Sequence, residues 1–288
     1  MAFSGQLPLM IRLGFFWNRV GFRGRGYVPR RIGQMFGVDR EYLIETAHGA
    51  KLVLDLKNLE VYAPIYNAGG NWEPYVGGTC RRIMRDRDVF FDIGANAGMV
   101  TLETRAVLGE SIFICAFEPQ SSLVESLRRS IAVNHYDNIE VFECLLSNYD
   151  GIGELYLTSH AIHASMQARE RKFEKISRQV CKIDTLVGAG RCPPPHIVKV
   201  DTEGAEMQIF EGMAETIKRC GPSVVFEADE NLERFGYKAN DLLDFLSSLH
   251  DYQFYSILPD GELRCWQPGL ASDVLALGIA HRERISVG

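Results

Sequence analysis

"VFFDIGANAGMVTLETR", residues 89–105, joins an apolar run to a turn punctuated by Gly94 and Gly98, with Asp92 set at the join. A short aromatic and β-branched run that lacks a polar face, bounded by a glycine turn, reads as a strand covered on both sides, with a helix starting after the turn. The same rhythm recurs outward from it in "IFICAFE" (112–118), "IEVFECLL" (139–146), "HIVKVD" (196–201) and "SVVFEA" (223–228). Helices are predicted between these runs, at 121–134 and 204–219 among others. Strands alternating with helices in this way predict an open, doubly wound, mostly parallel α/β sheet with helices on both faces.

The flanks carry weaker signals. Beyond Asn231, "DLLDFLSSL" reads as a helix, and "YQFYSIL" and "DVLALG" as two strands that close the edge of the sheet. Upstream, "YLIETAHGAKLVLDLK" (42–57) reads as two short strands around the turn at His48 and Gly49. "YNAGGNWEPYVGG" (66–78) reads as an irregular cover whose Trp72, Glu73 and Tyr75 lie over a pocket. Residues 158–195 break the strand-helix rhythm, and "RCPPPH" (191–196) is a stiff lead-in to the strand at 197. The organisation expected is a basic, partly helical extension with short strands over residues 1–60 and one large domain over residues 61–288.

Composition narrows the class. A chain of 288 residues that is 46% hydrophobic buries a large core without staples. Its seven cysteines, with no C-x-x-C pair, fit neither a disulfide framework nor a zinc site, so reduced thiols in a cytoplasm are expected. A net charge of -6 disfavours a general nucleic-acid binder. The exception to this acidity is "LPLMIRLGFFWNRVGFRGRGYVPRRIGQMFG" (7–37), which sets Arg12, Arg19, Arg23, Arg25, Arg30 and Arg31 among apolar side chains. The arginines interrupt it too often for a signal-peptide core or a membrane span. It reads as a helix packed on the main domain with its charges in water, or as a segment that rests on anionic lipid at the membrane periphery.

In an open α/β sheet, ligands sit beyond the carboxyl ends of the strands, which is where Asp92 to Gly98 lies. A nicotinamide dinucleotide fingerprint asks for G-x-G-x-x-G, but Asn96 stands at its second glycine and Met99 to Thr101 offer no third. An acid followed by a glycine turn suits S-adenosyl-L-methionine instead, with Asp92 meeting its ammonium and Gly94, Asn96 and Gly98 shaping the turn. Glu118, closing the second strand, is the acid expected to accept both ribose hydroxyls. Glu143 or Cys144, at the next strand end, is placed beside the adenine. In the third block, "HIVKVDTEGAEMQIFEGM" (196–213), Asp201 ends a strand and Glu203 and Glu206 flank Gly204 at the start of a helix. Acids at a helix start answer its dipole, yet three in six positions exceed what capping needs.

These blocks together, "FFDIGANAGMVTL", "FEP", "NIEVFECLLSNYDG", "CKIDTL" and "IVKVDTEGAEMQIFEGM", resemble the FkbM-type S-adenosylmethionine-dependent methyltransferase family over about residues 60–230. The resemblance implies a class I methyltransferase fold and methylation of a hydroxyl on a sugar, glycan, polyketide or other natural product. Glu143 departs from the small polar residue expected at its position. Removing the acceptor's proton needs a carboxylate or an imidazole. Asp201 is the first candidate, followed by Glu203, Glu206 and Glu227, with His160 and His163 as histidine alternatives. No metal is expected, because no further acids converge. The rivals are a non-catalytic S-adenosylmethionine-binding module and, on the same fold, a nicotinamide-dependent oxidoreductase. The acceptor expected is a small molecule or glycan and not a nucleic acid.

Overall fold

A computed structural model describes residues 7–19, 42–55, 59–70, 74–157, 164–165, 174–229 and 231–285. The chain opens with helix α1 (Leu9–Arg19), an antiparallel pair β1 (Leu43–Glu45) and β2 (Lys51–Val53), and helices α2 (Leu59–Asn67) and α3 (Pro74–Ile83). The repeating units follow: β3 (Val89–Ile93), α4 (Met99–Leu108), β4 (Phe113–Phe117), α5 (Ser121–Val133) and β5 (Ile139–Phe142). An inserted group of strands comes next, β6 (Leu145–Leu146), β7 (Gly151–Leu157), β8 (Ala164–Ser165) and β9 (Glu174–Cys181). Helix α6 (Ile183–Gly188) leads to β10 (Ile197–Val200), then α7 (Glu206–Gly212), α8 (Ala214–Cys220) and β11 (Ser223–Glu227). Helices α9 (Asn231–Arg234) and α10 (Ala239–Leu249) precede the closing strands β12 (Tyr252–Ile257), β13 (Leu263–Cys265) and β14 (Asp273–Gly278).

The central sheet has the order β13-β12-β14-β11-β10-β3-β4-β5. Strands β11, β10, β3, β4 and β5 run parallel, while β14 is antiparallel to both β11 and β12. From β3 the chain proceeds outward to β4 and β5, then returns to β10 on the other side of β3. That reversal opens a crevice beyond the carboxyl ends of β3 and β10, the place where doubly wound sheets take ligands.

The strands are apolar throughout because both faces are covered: every residue of β3 and of β10 is buried. Phe91, Phe117, Val198 and Phe226 pack on the face covered by α7, α8 and α10. On the other face Phe90, Ile114, Ile197 and Val225 meet Val76, Cys80 and Ile83 of α3. The amino-terminal elements join this core. Ile11 and Phe15 of α1 share one buried cluster with Leu52, Tyr62 of α2, and Ala95, Ala97 and Met99 of the glycine turn.

The structure adds detail to three expectations. Within 158–195, the described residues include the regular strand β9, which pairs antiparallel with β7 from Val180↔Gly151 to Glu174↔Leu157. Its Lys175, Ser177 and Gln179 face solvent, so the strand lacks the apolar run that marks the central strands. Within 66–78, residues from Pro74 onward are not irregular but form the first turns of α3, whose Val76, Thr79 and Cys80 are buried. The predicted helix at 204–219 is two helices that meet at Met213.

Candidate active site

The glycine turn is tied to its neighbours by backbone. The N–H groups of Gly94 and Ala95 both donate to the Phe117 carbonyl at 3.0 Å. Gly94, Asn96 and Gly98 all take positive φ, at 74°, 52° and 85°. Asn tolerates that region better than most residues, which explains its place in the turn. A Cβ on Gly94 would collide with the Asp201 carbonyl oxygen, and one on Gly98 with the Leu127 side chain. Both glycines therefore serve first to seat the turn against β10 and α5, and Gly98 is not on the cavity wall.

The cavity occupies about 370 Å³ at the strand ends, bounded by Gly94 to Ala97, Glu118, Lys199 and Asp201 to Glu203. Its apolar side comes from Phe117, Leu145, Leu146, Leu155 and Ile209, and from Val61, Pro64 and Ile65 of α2. Glu118, 4% exposed, lies on the wall. It accepts the Asn96 N–H at 2.9 Å and the Gln120 N–H at 2.9 Å, one on each oxygen. Burial nevertheless pushes its carboxyl up to about 7, the two backbone donors opposing the shift. Asn96 is also on the wall, and its Oδ1 is buried with no hydrogen-bond partner among the described residues.

Asp92 stands elsewhere than the sequence suggests. It is fully buried and off the wall. One oxygen accepts the Thr101 hydroxyl at 2.6 Å, and the other lies 3.3 Å from the Lys199 ammonium. Lys199 escapes notice in the sequence, although a lone cation in "HIVKV" is a signal, since a buried lysine requires partners. Its Nζ donates to the Gly94 carbonyl at 3.0 Å and lies 3.3 Å from Asp201 Oδ2 as well as from Asp92. One ammonium thus joins the glycine turn, the buried acid and the acid at the end of β10.

The third block separates its acids. Asp201, with a side chain 36% exposed, and Glu203 are on the wall. Glu203 takes φ 59° and accepts a hydrogen bond from Asn231 at 3.3 Å. Glu206 is a correction: it is 1% exposed and off the wall. Its Oε1 accepts the Thr202 N–H and hydroxyl, each at 3.0 Å, and the Gly204 N–H at 3.3 Å, so it braces the loop from inside. Burial pushes it, too, up to about 7. Glu227 and Asp229 complete the acidic wall. Burial, then Asp201, Asp229, Asp273 and Glu203, push the Glu227 carboxyl up to about 9.

Glu143 and Cys144 divide as well. Glu143 is exposed and off the wall, where it accepts the Ser121 hydroxyl at 2.5 Å. Cys144 is buried on the wall, and burial first, then Cys181, raises its thiol well above the usual range. Tyr75 does not cover the main cavity but lines a smaller one of about 70 Å³, with Lys199, Asp201, Glu227 and Asp273. Trp72, Glu73, His160 and His163 lie outside the described residues. Among the described residues no group of side chains is placed to hold a metal ion.

The site therefore offers acceptors for hydroxyl and ammonium donors, an apolar slot, and an ion-paired carboxylate. The chain matches the family described as the methyltransferase FkbM domain over residues 92–254. Among solved structures it is similar to methyltransferase FkbM from Methylobacillus flagellatus KT, with TM-score 0.47 and 16% identity over 77% of this chain and 54% of that one. The chain spans about half the length of that protein. It is also similar to precorrin-6y C5,15-methyltransferase from Geobacter metallireducens GS-15, with TM-score 0.39 and 12% identity over 70% of this chain and 83% of the other. An rRNA methylase from Streptococcus thermophilus gives TM-score 0.39 and 12% identity over 72% and 92% of the two chains. No curated protein matches the chain.

Proposed function

This chain belongs to the FkbM methyltransferase family, and from that premise we propose that it methylates a hydroxyl group of a sugar, glycan or other natural product. The observation that carries this reading is the single wall on which the strand ends place Asn96, Glu118 and Asp201. The cofactor, S-adenosyl-L-methionine, supplies a methyl group made electrophilic by its sulfonium.

The residues present fit that group. Glu118 accepts the Asn96 and Gln120 N–H groups and the Gln120 side chain, but a carboxylate has about four acceptor sites, which leaves room for a ribose hydroxyl. The orphaned Asn96 oxygen awaits a donor such as an ammonium or hydroxyl. Phe117, Leu145 and Leu146 offer an apolar slot for the base, with the neutral Cys144 thiol beside them. Asp92 would act from behind the wall, through Lys199 and the carbonyl of Gly94.

For the transfer itself, Asp201 accepts the proton that the acceptor hydroxyl loses. Lys199 fixes its orientation, and Glu203, also on that wall, holds neighbouring hydroxyls. Positioned acid–base groups of this kind contribute roughly a hundred- to ten-thousandfold. Incubation with methyl-labelled S-adenosyl-L-methionine and glycan, lipid-linked and small-molecule acceptors tests the reading. Label is expected in an ether that resists alkali. Alkali-labile label would indicate a carboxyl acceptor, label on nitrogen an amine, and absence of turnover with intact cofactor binding a non-catalytic module; each overturns the proposal.

A further inference from the structure

Helix α1 carries a feature that methyl transfer does not use. Its inner side holds Ile11 and Phe15 in the core, yet Leu9, Met10, Leu13 and Phe16 on its outer side are 68%, 44%, 46% and 59% exposed. Arg12 is exposed among them. Large apolar side chains gathered on one exposed stretch of helix mark an interaction surface, since soluble proteins scatter such residues singly.

Charge selects the partner. No Asp or Glu precedes Asp39, whereas Arg12, Arg19, Arg23, Arg25, Arg30 and Arg31 all do. The chain as a whole carries -6, so everything after this segment is more acidic than that total. Two copies meeting through α1 about a twofold axis would set like charges against each other. An interfacial helix with apolar side chains flanked by arginines instead suits a surface that is both apolar and anionic. We infer that α1 docks this protein on an anionic lipid bilayer, lying in its interface with Leu9, Met10, Leu13 and Phe16 inserted and Arg12 at the headgroups. No described helix is long and apolar enough to cross a membrane.

Docking has a consequence for the cavity. Helix α1 packs on α2 through Phe15 and Tyr66, whose rings are 4.6 Å apart, and Asn67 donates to the Phe15 carbonyl at 2.8 Å. Helix α2 in turn presents Val61, Pro64 and Ile65 to the cavity. The helix on the bilayer is therefore one layer away from the cavity wall.

Flotation of the full-length protein with vesicles of phosphatidylcholine and phosphatidylglycerol, against vesicles of phosphatidylcholine alone, tests the inference. Wild type is expected to float with the anionic vesicles at low salt and to partition progressively less as salt rises. Arg12→Glu should weaken partition by at least about fivefold. The double change Leu13→Glu with Phe16→Glu should abolish it while leaving S-adenosyl-L-methionine affinity unchanged, which shows that the variant is folded. Protein that stays at the bottom with anionic vesicles at low salt overturns the proposal, as does equal flotation of the double variant. A wild-type dimer in sedimentation that the double variant dissociates would assign the surface to a second copy and overturn it too.

Discussion

Two turns at the same edge of the sheet each hold a buried glutamate, and they use it in opposite ways. After β4, Glu118 faces the cavity while accepting the N–H groups of Asn96 and Gln120. After β10, Glu206 accepts the Thr202 and Gly204 donors and points away from the cavity. Burial pushes both carboxyls up to about 7. A raised carboxyl therefore does not by itself distinguish a group that meets a ligand from one that holds a loop; its place on the wall does. In the second turn the acids on the wall are Asp201, held by Lys199, and Glu203.

The largest expected effect separates Asp201 from both glutamates. Asp201→Asn keeps shape and removes basicity, so turnover should fall roughly a hundred- to ten-thousandfold while cofactor affinity stays within about threefold. Single-turnover rates beside calorimetric binding measure the split, and near-normal turnover would move the proton acceptor to Glu203.

Next in size, Glu118→Ala should weaken S-adenosyl-L-methionine binding by about ten- to a hundredfold, the value of hydrogen bonds to a charged group. Affinity that does not change would break the comparison at its first member.

Glu206→Gln should do the reverse. It replaces a carboxylate that accepts three donors within its own loop, so stability should fall by about 1–2 kcal/mol with affinity within about threefold. Thermal unfolding and calorimetry on one preparation test this, and a tenfold loss of affinity would place Glu206 in the ligand site.

The remaining effect is in pH. Glu118 and Glu206 are raised from 4.5 to about 7 in the folded state, so that state holds more protons than the unfolded chain between those values. Stability of the ligand-free protein should fall as pH rises through that window, and Glu206→Gln should flatten the slope. Cofactor affinity should rise over the same window as Glu118 ionises, and Glu118→Gln should abolish the rise. A pH-independent affinity in the wild type would detach Glu118 from the ribose.

Much of this molecule can be read along the chain. Apolar runs between helices dictate parallel strands covered on both faces, because only a doubly covered sheet buries side chains of both alternations. The positive φ values of the turn are legible in its Gly-x-Asn-x-Gly pattern, and the acid closing β4 stands where the repeat places it. Strand β9 is hidden because its exposed side carries charge, and α3 because its glycines resemble those of a loop. The direction of each acid depends on partners far away in sequence. Asp92 turns inward because Thr101 and Lys199 receive it, and Glu206 because the Thr202 and Gly204 N–H groups need an acceptor. Lys199 becomes the link between two strand ends only when β10 lies beside β3, with Lys199 opposite Asp92. Local pattern determined which residues reach the ligand edge of the sheet, since strand period and turn chemistry act over a few residues. Tertiary pairing decided which of them face the cavity, since a buried charge orients toward whatever partner packing brings within hydrogen-bond distance.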